Sequence, residues 1–110
     1  MSNAEHYTYR VRWSSEDQEF IGSVAEFPSL SWLDTAQIEA FVGIRRLVES
    51  VLVDMTESGE TPPVPIGERS YSGRFLIRIP PEQHRALALE AAEQAVSLNR
   101  LAASRLGVAA

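Results

Sequence analysis

Arg74, Leu76 and Arg78 stand at alternate positions of Gly73-Arg74-Phe75-Leu76-Ile77-Arg78-Ile79. In an extended chain alternate side chains share a face, so the two guanidiniums and Leu76 point one way and Phe75, Ile77 and Ile79 the other. The outer face of such a strand has the chemistry to read DNA. Arginine bonds guanine O6 and N7 in bidentate fashion or neutralises a phosphate, and a leucine between two arginines can meet a thymine methyl. Ser97 then precedes Leu98-Asn99-Arg100-Leu101, where apolar residues return at helical spacing. A serine there is an N-cap, and the N–H groups of the helix start it caps can hold a phosphate, with Asn99 close enough to assist. The same arginines also suit an ordinary solvent-facing strand, and Asn99 also suits a backbone-tying role at the helix start. Spacing leaves both readings open.

Catalytic chemistry finds little to work with. The chain has 110 residues, no cysteine and only two histidines, His6 and His84. This excludes a disulfide framework, a zinc finger and a cysteine nucleophile. With two distant histidines, a His-rich metal site or a serine triad has no support either. A two-metal nuclease needs clustered carboxylates. The candidates are Glu16, Asp17, Glu19, Glu26 and Asp34, and the first predicted strand contains none of them. The expectation is a protein without catalysis, metal or cofactor. No apolar run approaches the roughly 18–20 residues of a membrane span, and the start of the chain lacks the apolar core of a signal peptide. A cytoplasmic chain with no membrane role is expected.

The elements that would hold these residues can be read from periodicity. Tyr7, Tyr9, Val11 and Trp13 alternate with Thr8, Arg10 and Arg12, the pattern of a half-buried strand. A polar turn at Ser14–Gln18 leads to a second strand, Glu19–Ala25, and Leu30–Leu33 is a short third. Asp34 or Thr35 is expected to cap a long helix, Asp34 and Gln37 having the spacing of a loose capping box. Its apolar stripe is Ile38, Phe41, Val42, Ile44, Val48, Val51, Leu52 and Met55, and Gly59 is its stop. In the second half Pro80-Pro81 ends the strand at Ile79 and opens a helix with His84, Leu87, Ala88, Ala91 and Ala95 on one face. Leu98, Leu101, Ala102 and Leu106 form the last helix, and Gly107 ends it. The expected class is α+β: a three-stranded antiparallel sheet with one long helix over residues 1–60, a proline-rich linker over 61–72, and a strand–helix–helix module over 73–110.

Charge follows the same division. Residues 1–68 hold 4 Arg against 12 Asp and Glu, a net −8; residues 69–110 hold 6 Arg against 3 Glu, a net +3. The overall −5 argues against a generally adhesive nucleic-acid binder, but the basic half alone suits DNA. A strand and two helices in about 35 residues cannot build a sufficient core, and a single strand has two open edges. A two-fold dimer answers both needs: two strands pair as a ribbon that fits the major groove, over four interlocking helices. This is the ribbon–helix–helix arrangement, and it would put four guanidiniums on one ribbon.

At these residues the sequence resembles the HicB-type antitoxin family. The tail carries Tyr71-Ser72-Gly73-Arg74-Phe75, Arg78-Ile79-Pro80, Glu82-Gln83-His84 and Val96-Ser97-Leu98-Asn99 in order. The first half is similar in layout: the Tyr7–Trp13 strand, an acidic turn, Glu26-Phe27-Pro28-Ser29-Leu30, then Asp34-Thr35 before the long helix. It departs where Trp32-Leu33-Asp34 replaces a glycine ahead of the aspartate. The resemblance implies a bipartite antitoxin. Its first part, a degraded RNase H-like fold, would block a small RNase toxin of the HicA type, and its tail would repress its own operon by binding operator DNA as a homodimer or higher oligomer. An acidic module suits a basic RNA-cleaving partner. The alternatives are a stand-alone transcriptional regulator without a toxin, or an RNA-binding protein using Tyr7, Tyr9 and Trp13 as stacking platforms.

Overall fold

The computed structural model of the chain describes residues 3–107. The chain divides into two compact units, the first ending at Tyr71 and the second beginning at Ser72.

In the first unit, β1 (Tyr9–Ser14), β2 (Glu19–Val24) and β3 (Ser31–Asp34) form an antiparallel sheet in the order β1-β2-β3. Tyr9 pairs with Val24, Val11 with Gly22 and Trp13 with Phe20; Gly22 in turn pairs with Trp32. The turn between β1 and β2 closes on Gln18 at φ +52°, with Asp17 accepting from the Ser14 hydroxyl at 3.0 Å. One helix, α1 (Gln37–Ser58), crosses the sheet. Its buried seam is Ala40, Gly43, Ile44, Val48 and Leu52, an i, i+4 row. The core joins Ile44, Val48 and Leu52 to Val24, Tyr7 and Ala4.

Several boundaries and faces differ from the sequence expectation. Tyr7 is buried, but it precedes β1 and follows a 3-10 turn at Ala4–His6. Trp13 keeps 47% of its surface exposed and meets Phe20 edge-on at 5.0 Å. Ile38 is 73% exposed and Phe41 is also exposed, because the face turned to the sheet is the Ala40, Gly43, Ile44, Val48 and Leu52 seam, and Ile38 and Phe41 lie at its flank. A Cβ on Gly22 would lie 2.6 Å from the Ala40 carbonyl oxygen, and one on Gly43 would lie 2.1 Å from the Trp32 indole. Helix and sheet therefore approach through two glycines, and large side chains are displaced to the flanks. The N-cap of α1 is Ala36, not Asp34 or Thr35, and it makes no side-chain cap bond. The Asp34 carboxylate accepts from the Ala36 N–H at 3.0 Å, an i to i+2 turn that competes with the capping box. Gly59 ends the helix as expected, in the left-handed region at φ +80°.

The second unit holds α2 (Pro81–Glu93) and α3 (Leu98–Leu106). Pro81 occupies the first turn of α2, where its missing N–H costs nothing. The helix ends two residues before Ala95, which lies at φ +56° in the link to α3. Ala95 therefore belongs to the turn and not to the apolar face of α2. The Val96 N–H donates back to the Ala91 carbonyl at 3.0 Å, closing that turn. The Glu90 carboxylate pairs with Arg105 and ties α2 to α3. Among the described residues of this unit only Ala91 and Leu101 are buried.

Gly73–Ile79 forms no strand. An extended segment becomes a strand only when a neighbour supplies its hydrogen bonds, and among the described residues no segment lies in a ladder with it. Phe75 and Leu76 are 75% and 79% exposed, and Ile77, Leu89 and Leu106 are exposed with them.

Candidate nucleic-acid interface

The five residues singled out for DNA contact all lie in the second unit. Arg74, Leu76 and Arg78 are exposed along the segment that precedes α2. The segment enters from a turn at Ser72-Gly73: Gly73 sits at φ +84°, where glycine is the least strained residue, and the Arg74 N–H donates to the Ser72 hydroxyl oxygen at 3.1 Å. Ser72 and Gly73 thus set where the arginine run begins. At the far end Pro80 and Pro81 stop it and start α2.

Ser97 caps α3, its hydroxyl oxygen accepting from the Arg100 N–H at 3.0 Å. The N–H groups of Leu98 and Asn99 have no acceptor among the described residues. Asn99 and Arg100 are exposed in the first helical turn. Free N–H groups at the positive end of a helix, beside an amide and a guanidinium, form an anion-binding set. Arg100 joins the five candidates by position alone, directly after Asn99 in the capped first turn.

Among the described residues of the first unit no group of three His, Asp or Glu side chains is close enough to share a metal ion. Asp17 and Asp34 serve the local turns described above. Glu26 accepts from the Thr8 N–H at 2.9 Å, the Thr8 hydroxyl at 3.0 Å and the Ile66 N–H at 2.9 Å. Burial alone would raise its pKa, but the backbone N–H groups of Ile66, Thr8 and Glu26 itself and the Thr8 hydroxyl outweigh burial and hold it below the usual carboxylate range. His6 ends the 3-10 turn at Ala4–His6 and pairs with Glu68 at 2.7 Å. His84 is exposed on α2.

The aromatic residues considered for RNA stacking are mostly engaged elsewhere. The Tyr7 hydroxyl donates to the Pro63 carbonyl at 2.8 Å and the Tyr9 hydroxyl to the Ala4 carbonyl at 2.6 Å. Both rings make edge contacts, Tyr7 with Phe27 and Tyr9 with Phe41. Burial pushes both hydroxyl pKa values up. Of the three, Trp13 alone is exposed. The outer face of the sheet carries Arg10, Arg12, Ile21 and Leu33, opposite the helix.

The family model described as the HicB family matches residues 56–106. The match runs from the last turn of α1 to the end of α3 and takes in all five candidate DNA-contact residues. No curated protein and no solved structure matches the chain. No helix among the described residues is long and apolar enough to cross a membrane.

Proposed function

We propose that the chain is a HicB-type antitoxin that represses its own operon, its tail binding operator DNA as a ribbon–helix–helix dimer. The carrying observation is the second unit's incompleteness. It buries two side chains among its described residues and exposes Phe75, Leu76 and Ile77 in a segment whose backbone has no ladder. A unit of this size with so little core needs a partner. A second copy supplies one directly: two Arg74–Ile79 segments pair antiparallel, and Phe75, Ile77 and Ile79 turn inward over the helices. Arg74, Leu76 and Arg78 then face outward from each strand, four guanidiniums on a two-stranded ribbon of the width that enters a major groove. The N-terminus of α3 with Ser97 and Asn99 anchors a phosphate on each side. The HicB family match covers this same tail.

The first unit supports the other half of the reading. It holds 5 Arg against 12 Asp and Glu, a net −7. A surface of that charge attracts a basic partner and repels nucleic acid, which suits capture of a small RNA-cleaving toxin. With Asp17 and Asp34 held in local turns and Glu26 bonded to Thr8 and Ile66, the unit's remaining acids present a charged surface suited to binding.

Fluorescence anisotropy of the purified chain on its upstream duplex and on a scrambled duplex, at two salt concentrations, tests the proposal. The native duplex binds more tightly, with affinity falling steeply as salt rises. Arg78→Ala removes two guanidiniums from a dimer and costs about 1–3 kcal/mol per lost base contact. Arg46→Ala, an exposed arginine of the first unit, leaves binding unchanged. Equal binding to both duplexes, or equal loss in the two variants, overturns the ribbon as the reading element.

A further inference from the structure

After α1 the chain runs back along the first unit as a strap, Pro62–Tyr71. Its regular structure is one 3-10 turn at Ile66–Glu68. Pro62, Pro63 and Pro65 have no N–H to give, and among the strap residues only Pro65 is buried. Pro62, Pro63 and Ile66 are half-buried beside it, and polar contacts tie the strap to the Ala4–Thr8 segment and to the end of β2. The Tyr7 hydroxyl donates to the Pro63 carbonyl, and the His6 ring nitrogen lies 2.7 Å from the Glu68 carboxylate. At the centre stands Glu26. One carboxylate oxygen takes the Thr8 N–H, and the other takes both the Thr8 hydroxyl and the Ile66 N–H. A single ionised side chain thus bridges the entry to β1 and the strap, across forty residues of sequence.

We infer that Glu26 is a latch, whose carboxylate fastens the Pro62–Tyr71 strap to the first unit and so sets the length of tether that carries the tail. With the latch closed, the tail departs at Ser72. With it open, the tail departs near Pro62 and gains roughly 33–36 Å of extended reach over the ten strap residues, at about 3.3–3.6 Å per residue. Tether length sets the effective concentration at which one unit's ligand meets the other unit. The latch would therefore govern how strongly events on the two units are coupled. Charge-assisted bonds to backbone N–H groups are among the strong hydrogen bonds, and of the strap's side-chain ties Glu26 is the one that bonds both Thr8 and Ile66, so its opening is set chiefly by this group. The strap's own bonds, Arg69 Nε to the Val64 carbonyl at 2.9 Å and the Glu68 N–H to the Pro65 carbonyl at 2.9 Å, keep its shape without fixing it to the unit.

Residue-resolved amide exchange on the full chain tests the latch, and it needs no toxin and no DNA, so its failure is separate from failure of the antitoxin reading. In Glu26→Ala the amides of Ile66, Glu68 and Arg69 exchange faster by on the order of tenfold, while those of β2 and α1 keep their protection. Glu26→Gln gives a smaller increase, because Thr8 N–H and Ile66 N–H meet different oxygens of the carboxylate and the amide keeps an acceptor at one of those positions while its NH2 cannot accept at the other. Tyr7→Phe, which leaves Glu26 intact, gives a smaller increase still. Trypsin cleavage after Arg69 rises in the same order relative to cleavage after Arg74, which lies outside the strap. Unchanged exchange at Ile66 in a folded Glu26→Ala chain overturns the latch. So does loss of protection in β2 and α1 in step with the strap in all three variants, since the strap is then an inseparable part of the core.

Discussion

Gly22→Ala tests the contact on which the first unit is built. Gly22 lies in the central strand, and its would-be Cβ meets the Ala40 carbonyl oxygen at 2.6 Å and the Ile44 Cγ2 at 2.9 Å. An ordinary carbon–oxygen contact needs most of an ångström more. The obstructing atom is backbone, on a helix whose Ala40, Ile44 and Val48 are fully buried, so no side chain can rotate out of the way. The helix must lift from the sheet, and overpacking of that kind costs about 1–3 kcal/mol, here the upper part of the range. A unit of this length has roughly 4–10 kcal/mol of stability in all, at about 0.05–0.15 kcal/mol per residue. At about 4–8 °C per kcal/mol for a small domain, the melting temperature should fall by roughly 10–20 °C. Thermal unfolding followed by far-UV circular dichroism measures it. Gly43→Ala is the internal contrast: its Cβ would strike the Trp32 indole, a side chain 43% exposed, where Gly22 meets backbone. That variant should lose less stability and shift the tryptophan emission to longer wavelength. A Gly22→Ala chain melting within a few degrees of the parent would refute the argument that two glycines set the helix–sheet spacing.

Other predictions concern the latch and the tail. Ala95→Gly should stabilise the second unit by roughly 0.5–1 kcal/mol, since a left-handed alanine costs about 1–2 kcal/mol and glycine returns part of that as chain entropy; slower exchange of the Val96 amide, which donates to Ala91, is the readout. Ser97→Ala should cost about 1 kcal/mol of α3 stability by freeing the Arg100 N–H, and should weaken operator binding at the same time. The folded-state pKa of Glu26 lies below its ordinary value of 4.5. Its contribution is therefore complete above that ordinary value and is lost as pH falls through the lower, folded value. Acid unfolding of Glu26→Gln should accordingly show a shallower loss of stability below about pH 4.5 than the parent chain, and parallel curves would remove Glu26 from the acid response.

Periodicity alone marked out three strands, a long helix stopped at Gly59, and two shorter helices led by Pro81 and Ser97. Those signals are local: alternation, helical spacing, a proline at N1 and a serine cap act over a few residues whatever the rest of the chain does. The alternation of Arg74, Leu76 and Arg78 with Phe75 and Ile77 is equally local, and it singled out the candidate DNA-reading face. What lay beyond such signals was set by contacts between distant segments. Ala40 and Gly43 lie where α1 comes closest to the sheet, because that approach selects for small side chains, while Ile38 stays exposed and Phe41 packs only edge-on against Tyr9. Ala95 left the helix because its terminus closed through Val96 and Ala91. Glu26 is one acidic residue among twelve in the first unit, and only the return of the strap to the entry of β1 made it a bridge between Thr8 and Ile66. The strand at Gly73–Ile79 shows the same limit from the other side. Its residues carry the propensity, but a strand is a relation between two segments, and a single copy of this chain supplies only one.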